Sequence, residues 1–414
     1  MLSEKNTLRA LHGTSPSSVY IHVPFCVSKC AYCDFYSIPC TEKANAAEKN
    51  TVPSFSQECF SDGVYALQKR YVDALCRQMR LTEKKQVRKK VSTVFIGGGT
   101  PSVLKTEYLK KILDTVFSCF DLLGNAEITV EANPETVDLE KLTAYRKMGI
   151  NRLSLGMQSA VDSELKTISR IHTADSVVKA VKSAREAGFD NVNLDVMYAL
   201  PGQTEESFKL TLDTVISLSP EHVSVYGLQL EEGTPLFNNQ DSLTFPGEEG
   251  ENRLNALALD VLTKNGYGRY EISNYAKKGY ECRHNLNYWT LGEYYGFGTA
   301  AHSFTDGKRT SVKKDIAAYC ASTDFSDVTE VEEIPTDTDL TEEYVMLSLR
   351  LKKGLSLKAL KGITDSADLY FKRAEPFVKN GLMEIAETEG DTRISFTPSG
   401  FNVSNAVISE ILFG

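Results

Sequence analysis

The stretch of sequence that decides the fold is residues 19–33, Val19-Tyr20-Ile21-His22-Val23-Pro24-Phe25-Cys26-Val27-Ser28-Lys29-Cys30-Ala31-Tyr32-Cys33. An apolar run typical of a buried strand leads directly into three closely spaced cysteines. A cubane iron–sulfur cluster normally takes four cysteine thiolates, so a loop with three supplies one ligand too few. One iron of such a cluster is therefore left open to a ligand from outside the chain.

Two other interpretations of these cysteines exist. A structural zinc site needs four closed ligands, and no second Cys/His pair at a standard finger spacing is present nearby. Cys40 is close in sequence but lies beyond a predicted turn. Ordinary burial of small hydrophobic thiols is the other interpretation, and we assign it to Cys59, Cys76, Cys119, Cys282 and Cys320. The spacing of Cys26, Cys30 and Cys33 favours a cluster.

The composition is that of an ordinary globular chain of 414 residues, with 42% hydrophobic and 24% charged residues. The net charge of −9 argues against general binding to nucleic acids or anionic membranes. The first residues contain no apolar secretion core, and no stretch approaches the roughly 20 apolar residues that span a bilayer. We therefore expect a cytoplasmic protein, where spaced cysteines hold metal rather than form disulfides.

Short β-branched runs alternate with longer amphipathic segments over the first two thirds of the chain. The predicted strands are Val19–Phe25, Val91–Ile96, Glu127–Asn133, Arg152–Gln158, Val192–Met197 and His222–Leu230. One intervening helix is predicted over Ser176–Ala187, with Gly188 as its C-terminal stop. This alternation indicates an α/β fold with a parallel sheet and right-handed crossovers, either a partial (β/α)6 barrel or a doubly wound sheet.

A polar face on three of the strands decides between these architectures. The fifth strand alternates Val192, Leu194 and Val196 with Asn193 and Asp195. Parallel strands that are covered by helices on both faces are normally continuous apolar runs, so the polar face predicts a partial barrel with a hydrated interior. Functional groups of such sheets collect at the carboxyl ends of the strands. The groups expected there are the cysteine loop, Gly97-Gly98-Gly99-Thr100, Glu131, Gln158 and Asp195.

The predicted organisation is an N-terminal tail over residues 1–17, a core over 18–305 and a C-terminal domain over 306–414. Residues 40–63 are polar, and we expect a surface insertion there. The C-terminal domain is predicted to contain helices at Glu342–Leu351 and Ala367–Lys379, a strand at Arg393–Phe396 and a final helix capped by Thr397. These elements predict a small α+β, winged-helix-like domain. Because it is not notably basic, a covering or partner-binding role is favoured over DNA binding.

Several polar residues have both a functional and a structural interpretation. The glycines of Gly97–Thr100 allow a ligand to approach the backbone closely, but glycine clusters also end ordinary strands. Glu131 suits ribose hydroxyls or an ammonium group, or else it is a carboxylate at the rim. Arg170 either pairs with a ligand carboxylate or is a surface charge, and the sequence leaves these two interpretations equal.

A second informative segment is Cys282-Arg283-His284-Asn285-Leu286-Asn287-Tyr288-Trp289, which holds the only tryptophan of the chain. Neutral imidazole is a standard axial ligand of haem iron, and aromatic groups suit a porphyrin face. A lone histidine is more often structural, however, and a Tyr-Trp pair more often packs in a core. On the residues alone we rank the structural interpretation of His284 above haem binding.

Taken together, the motifs of this chain resemble one family. They are Tyr20–Cys26, Gly97–Ser102, Gly156–Ser159, Leu200–Thr204 and His284-Asn285-x-x-Tyr288-Trp289. The C-x3-C-x2-C spacing resembles the radical S-adenosylmethionine (SAM) superfamily. The whole set is similar to its haem chaperones (HemW type), which are relatives of the oxygen-independent coproporphyrinogen dehydrogenases. The likeness covers nearly the whole chain from Tyr20 onward.

The resemblance implies that Cys26, Cys30 and Cys33 bind a [4Fe-4S] cluster whose open iron is chelated by SAM. It implies that SAM is faced by Tyr20, Tyr32, Gly98, Gly99, Thr100, Glu131, Gln158, Arg170 and Asp195. It also links the H-N-x-x-Y-W motif to haem, which makes His284 a haem-binding residue and reverses the ranking above.

The leading hypothesis is therefore a haem chaperone that binds haem, a [4Fe-4S] cluster and SAM and delivers haem to acceptor proteins, such as respiratory haemoproteins. The alternatives are a coproporphyrinogen III dehydrogenase that acts by oxidative decarboxylation, and a radical SAM enzyme with another substrate. Two departures weigh against the dehydrogenase. Its branch has a further cysteine where this chain has Phe35, and it has a longer segment before the cysteine that corresponds to Cys26.

Overall fold

The computed structural model describes residues 16–40, 62–85, 89–388 and 390–414. The predicted tail over residues 1–17 and the predicted insertion over residues 40–63 lie almost wholly outside these ranges. The described residues form a 12-stranded sheet, a 3-stranded sheet and a 2-stranded pair. Each helix within these ranges is too short or too polar to cross a membrane.

The strands are β1 (Ser17–Val23), β2 (Phe25–Cys26), β3 (Ile38–Pro39), β4 (Lys90–Gly98), β5 (Asp121–Ala132), β6 (Arg152–Gln158), β7 (Val192–Tyr198), β8 (His222–Gly227), β9 (Gly268–Arg269), β10 (Asn274–Ala276), β11 (Tyr294–Phe297), β12 (His302–Thr305), β13 (Lys308–Val312), β14 (Thr329–Glu333), β15 (Leu355–Ser356), β16 (Met383–Thr388) and β17 (Asp391–Phe396).

The helices are α1 (Asp62–Lys85), α2 (Thr106–Cys119), α3 (Leu139–Lys147), α4 (Asp162–Thr167), α5 (Ala174–Glu186), α6 (Glu205–Leu218), α7 (Pro235–Asn238), α8 (Gly247–Lys264), α9 (Arg283–Trp289), α10 (Ile316–Ala321), α11 (Asp337–Leu349), α12 (Leu357–Ile363), α13 (Ala367–Lys379), α14 (Pro398–Asn402) and α15 (Ser404–Phe413). Short 3₁₀ turns occupy Pro101–Val103, Pro134–Thr136 and Gln240–Ser242.

Parallel strands form the centre of the large sheet, in the order β11-β1-β4-β5-β6-β7-β8. The six predicted strands are all present, and the fourth has the predicted bounds, Arg152–Gln158. The sequence pattern does not predict β11, which is too short to show an alternation. Strands β4 to β8 follow one another both along the chain and across the sheet, as expected of successive βα units in a partial barrel.

Antiparallel strands extend both edges of this sheet, with β12, β13 and β14 beyond β11, and β10 and β9 beyond β8. The sheet therefore continues past residue 305, where the sequence predicts the boundary between domains. A separate hydrophobic cluster begins only at Val345. A division of the chain between Glu333 and Val345 fits these two observations better.

The interior face of the sheet is polar along its length, but it is open only near the carboxyl ends of the strands. Deeper in the barrel, Thr129, Arg152 and Asn193 are at most 2% exposed. Asn193 accepts a hydrogen bond through Oδ1 from His222 Nδ1 at 2.6 Å. The expected hydrated interior is thus confined to one end, because hydrogen-bonded side chains fill the other.

The C-terminal elements surround their own hydrophobic cluster, which contains residues of α11 to α15 and of β15 to β17. Their order of helix, strand, two helices and hairpin is the one expected of a winged-helix-like fold. Helix α11 begins earlier than predicted because the Thr336 side chain caps it, accepting from the backbone N–H of Asp339. The predicted final helix is two helices, α14 and α15, because Val403 leaves the helical conformation.

Candidate functional site

A cavity of about 410 Å³, here called the strand-end cavity, opens at the carboxyl ends of the parallel strands. The loops after β1 and β4 form one wall, and residues of β5 to β8 form the floor. The predicted site residues that line it are Cys26, Cys30, Tyr32, Cys33, Gly98, Gly99, Thr100, Glu131, Gln158, Arg170 and Asp195. They meet because the carboxyl ends of parallel strands share one edge of a sheet.

The cysteine loop is closed at its base by the parallel pairing of β2 with β3. The backbone N–H of Cys40 donates to the carbonyl of Cys26 at 2.8 Å. The loop is also tied to the barrel, because the N–H of Ala31 donates to the carbonyl of Ile168 at 3.1 Å. These backbone bonds hold the three cysteines of the loop at the mouth of the strand-end cavity, where all three are half-buried and free of disulfides.

A chain of side-chain hydrogen bonds connects the strand ends to the thiols. Arg170 donates from Nη2 to Asn133 Oδ1 at 2.7 Å and from Nη1 to Cys30 Sγ at 3.5 Å. Asn133 Nδ2 donates to Thr100 Oγ1 at 3.1 Å, and Thr100 Oγ1 donates to Cys26 Sγ at 3.5 Å. Of the two interpretations of Arg170, the surface charge is therefore wrong, because its guanidinium group lies in the cavity beside a cysteine.

Two glycines permit the close approach of the β4 end to the chain after β1. Gly98 has a φ of +104°, which is strained for other residues, and an added Cβ would overlap the His22 ring. A Cβ on Gly99 would lie 2.7 Å from the carbonyl oxygen of Phe25. The N–H of Thr100 donates to that same carbonyl at 2.7 Å. The glycines therefore place Thr100 within reach of the cysteine loop.

Two carboxyl groups, Glu131 and Asp195, lie on the cavity floor. Glu131 Oε2 accepts from the N–H of Gly98 at 3.1 Å. Burial, and secondly the charge of Asp195, raise the pKa of Glu131 to about 8. Burial also raises the pKa of Asp195, against hydrogen bonds from Asn193 and Ser224 that lower it. Ionised carboxylates are costly here, so a cationic or hydroxyl-bearing ligand would stabilise them.

Gln158 ends β6 with a φ of +64°, a left-handed conformation that is uncommon for residues other than glycine. The pairing of β6 with β7 shifts register between Gly156 and Gln158. This irregularity places Gln158 among the lining residues of the strand-end cavity. Backbone strain of this kind is concentrated at functional sites in proteins.

Asn133 and Tyr226 also line the cavity, although neither is among the predicted site residues. Asn133 lies two residues after Glu131, on the same face of the chain leaving β5. Tyr226 continues the polar face that His222 and Ser224 begin on β8. The period-2 alternation of strands was therefore a sufficient signal for both residues.

The predicted cluster fits the donor set of this cavity. Three thiols with a cavity beside them are what a cubane with one open iron requires. Burial raises the pKa of Cys26, and it raises the pKa of Cys33 to about 11, so both thiolates need compensating positive charge. Among the described residues, no three His, Cys, Asp or Glu side chains are close enough to hold one metal ion. The thiolates of a cubane need not converge on one point, because each binds a different iron of the cluster.

Tyr20, which the resemblance places at SAM, lines the neighbouring cavity described below and not the strand-end cavity. It lies in the middle of β1, below the carboxyl end, and its hydroxyl group is hydrogen-bonded to His22 Nδ1 at 3.0 Å. Its ring stacks against Phe95 at 6.4 Å between centroids. Burial, and secondly the charge of Glu131, raise the pKa of Tyr20, so its hydroxyl group is neutral and lies near the cavity floor.

His284, which the resemblance links to haem, is 1% exposed and lies inside the barrel. Its Nδ1 is 2.7 Å from Thr93 Oγ1, its Nε2 is 2.9 Å from the hydroxyl oxygen of Tyr288, and its ring stacks on Phe95. Burial, and secondly Arg152, lower the pKa of His284 to about 3, so the ring is neutral. With both nitrogens hydrogen-bonded, neither is free for iron, and the geometry fits the structural interpretation.

The buried position of His284 follows from the way α9 begins. Glu127, on β5 inside the barrel, accepts hydrogen bonds from the backbone N–H groups of Arg283 and His284, each at 3.1 Å. A carboxylate stabilises the exposed N–H groups at the start of a helix. The H-N-x-x-Y-W segment is thereby anchored to the barrel interior.

A second cavity of about 530 Å³, here called the aromatic cavity, lies beside the first. Phe35, which is 63% exposed, lines both cavities. The aromatic residues that line it are Tyr20, Phe35, Tyr36, Tyr288, Tyr294 and Phe304. Its volume falls in the range of ligand pockets, about 300–1,000 Å³. No local sequence pattern predicts this cavity, because its walls come from segments far apart in the chain.

Comparisons with known proteins agree with these observations. The family model of the radical SAM superfamily matches residues 20–215. The heme chaperone HemW of Bacillus subtilis is 33% identical over 95% of this chain and 99% of its own length. The HemW protein of Escherichia coli is 36% identical over 81% of this chain and 83% of its own length. The HemW protein of Mycobacterium tuberculosis is 32% identical over 96% of this chain and 95% of its own length.

The fold is shared with a solved structure as well. The coproporphyrinogen III oxidase HemN from Escherichia coli, a radical SAM enzyme, superposes with a TM-score of 0.79 at 22% identity, covering 96% of this chain and 90% of its own. At 22% identity, this similarity shows a shared fold only. The curated relatives, matched at over 30% identity across most of both chains, show that the chain belongs to the HemW family of the radical SAM superfamily.

Proposed function

We propose that this protein is a haem chaperone that holds a [4Fe-4S] cluster and SAM in the strand-end cavity and haem in the aromatic cavity. The observation that carries the proposal is the presence of two neighbouring cavities that meet at Phe35. One has the donor set for a cluster, and the other has aromatic walls suited to a flat apolar ring system. The curated relatives are heme chaperones by name.

In this proposal Cys26, Cys30 and Cys33 hold the cluster and leave its fourth iron to SAM. When bound, the cluster supplies single electrons to the ligand on its open iron. Thr100 and Arg170 donate toward the sulfurs of Cys26 and Cys30. Hydrogen bonds to sulfur tune the reduction potential of such a cluster, so these two residues set part of its electronic environment.

SAM would occupy the floor and walls of the same cavity. Its ammonium group and ribose hydroxyls suit Glu131 and Asp195, whose ionised forms are costly without a partner. The Arg170 guanidinium suits the SAM carboxylate through a charge-assisted pair. Gly98 and Gly99 line the same cavity, so their backbone groups are available to the ligand. These positions follow the family resemblance, to which the cavity lining adds Asn133 and Tyr226.

Haem delivery requires acceptor proteins. We propose that these are haemoproteins accessible from the cytoplasm. A reducing compartment is needed because the three cluster cysteines must remain thiolates. Phe35 lines both cavities, so its side chain contacts the cluster cavity on one side and the haem cavity on the other. A movement of this side chain when a ligand binds in one cavity would therefore change the shape of the other.

The test compares haem transfer with porphyrinogen chemistry on the same preparation. The full chain, reconstituted anaerobically with iron and sulfide, is loaded with haem and mixed with a haem-free acceptor haemoprotein, and transfer is followed by absorbance. A parallel sample receives coproporphyrinogen III, SAM and a reductant. We expect stoichiometric haem binding, transfer to the acceptor and no vinyl-bearing product. Absence of haem binding, or formation of the vinyl product, would overturn the proposal, the latter in favour of the dehydrogenase.

A further inference from the structure

We propose that His302 is the axial ligand of haem iron in the aromatic cavity, and that Lys314 binds a haem propionate there. This assignment rests on the proposed haem-chaperone function and names the residues that carry it. The proposed iron ligand is therefore a histidine that lines the aromatic cavity, and not His284, which is buried in the barrel interior.

His302 begins β12 and lines the aromatic cavity, with its side chain 54% exposed. Its Nδ1 lies 3.3 Å from Glu332 Oε2 on β14. The residues that the structure describes supply no hydrogen-bond partner for its Nε2. A carboxylate beside one imidazole nitrogen fixes the orientation of a metal-ligating histidine. Glu332 therefore prepares Nε2 of His302 for iron.

The other histidine that lines the aromatic cavity is His22, and both of its ring nitrogens are engaged. Nδ1 is hydrogen-bonded to the Tyr20 hydroxyl at 3.0 Å, and Nε2 to the Tyr36 carbonyl at 2.9 Å. Within the described ranges, the histidines that remain are buried in the barrel, since His172 is 3% exposed and His222 is 0% exposed. His302 is thus the accessible imidazole of this cavity.

The cationic side chains of the cavity differ in how far they are already paired. Arg309 Nε lies 3.1 Å from Glu333 Oε2, and its Nη2 contacts Glu343. Two carboxylates therefore neutralise the Arg309 charge. Lys314 is exposed, and the described part of the chain provides it with no ion pair. A propionate gains a new charge-assisted hydrogen bond from Lys314 but competes with existing partners at Arg309.

The H-N-x-x-Y-W segment reaches the same cavity through Tyr288 rather than through its histidine. His284 Nε2 is 2.9 Å from the Tyr288 hydroxyl oxygen, and the Tyr288 ring packs edge-on against Tyr294 at 4.7 Å between centroids. Tyr288 and Tyr294 both line the aromatic cavity. His284 is therefore a positioning residue that sets the aromatic wall against which a porphyrin would lie.

The experiment titrates the anaerobically reconstituted full chain with haem and records the Soret band and the electron paramagnetic resonance spectrum of the ferric complex. His302→Ala should weaken haem binding at least tenfold and change the spin state, and added imidazole should restore the parental spectrum. Lys314→Ala should weaken binding several-fold without a spectral change. Lys313→Ala is its matched control, since that neighbour pairs with Glu330 outside the cavity, and should bind haem like the parent.

The outcomes separate this assignment from the function on which it rests. If the parental chain binds no haem, the proposed function itself fails. If the parent binds and transfers haem while His302→Ala keeps its affinity and spectrum, the function stands and the assignment is overturned. Loss of the axial-ligand spectrum in His284→Gln, with circular dichroism unchanged, would likewise overturn it in favour of the barrel histidine.

Discussion

Replacement of His284 by alanine should destabilise the barrel while leaving an axial ligand for haem in place. The imidazole makes two buried hydrogen bonds, to Thr93 Oγ1 at 2.7 Å and to the Tyr288 hydroxyl at 2.9 Å. Each such bond contributes about 1 kcal/mol to stability, so their loss removes about 2 kcal/mol. The ring also stacks on Phe95 at 5.1 Å between centroids, a contact that alanine cannot make.

The change also leaves a hole in a closed interior. A void of roughly 60 Å³ costs about 1.5 kcal/mol at about 24 cal/mol per Å³. A water molecule that enters the polar hole would recover part of the hydrogen-bond loss. We therefore expect the free energy of unfolding of the barrel to fall by about 2–4 kcal/mol, which is a large share of ordinary domain stability, about 5–15 kcal/mol.

The assay uses the single tryptophan of the chain, Trp289, which lies on α9 together with His284. Its fluorescence during urea unfolding of the apo protein reports on the element that the substitution disturbs. His284→Gln, which keeps one hydrogen-bonding group in place of two, serves as the matched control and should fall between the parent and alanine. Haem titration of the same variants should show a parental axial-ligand spectrum.

An alanine variant that loses less than about 1 kcal/mol of unfolding free energy, the contribution of one hydrogen bond, would contradict this expectation. A variant that keeps the urea midpoint of the parent but loses the haem spectrum would contradict it as well. Either result would mean that the imidazole is not held by Thr93 and Tyr288 in solution.

Four further predictions concern the strand-end cavity. Joint replacement of its three cluster cysteines by alanine should remove bound iron, sulfide and visible absorbance. The control Cys119→Ala, at a buried thiol of α2, should retain all three. Iron found by chemical analysis in the triple variant would contradict the ligand assignment. Glu131→Gln should weaken SAM binding measured by calorimetry on the cluster-loaded chain, and unchanged affinity would exclude Glu131 from the site. Because the pKa of Glu131 is raised from 4.5 to about 8, its protonated form favours folding, and the parent loses this stability as pH rises through about 8. The thermal midpoint of apo Glu131→Gln should therefore exceed that of the parent increasingly above about pH 5, and a gap that narrows with rising pH would contradict the raised pKa. Gly98→Ala should lower the thermal midpoint relative to Gly124→Ala, where an added Cβ meets nothing within 4 Å, because Gly98 has a positive φ and lies against His22.

Much of the fold was predictable from local pattern. Arg152–Gln158 alternates polar and apolar residues with the period of a strand, and its bounds in the structure are those predicted. The position of the cysteine loop followed from the order of elements, because residues after parallel strands share one edge. Glu131 and Asp195 were predictable for the same reason, and Asn133 and Tyr226 carried the same signal.

The tertiary structure alone decided how the polar interior is shared between ligand and protein. One hydrogen-bond partner of His284 is Thr93, which lies 191 positions away in the sequence. No local periodicity indicates that these two polar side chains will be buried against each other. The aromatic cavity likewise joins residues of β1, the cysteine loop, β11 to β13 and α11. Periodicity is a property of neighbours along the chain, so it predicts strands, helices and their ends. Burial and hydrogen-bond partnership depend on which distant segments meet, and so the roles of Tyr20, His284 and His302 could be distinguished only in the folded molecule.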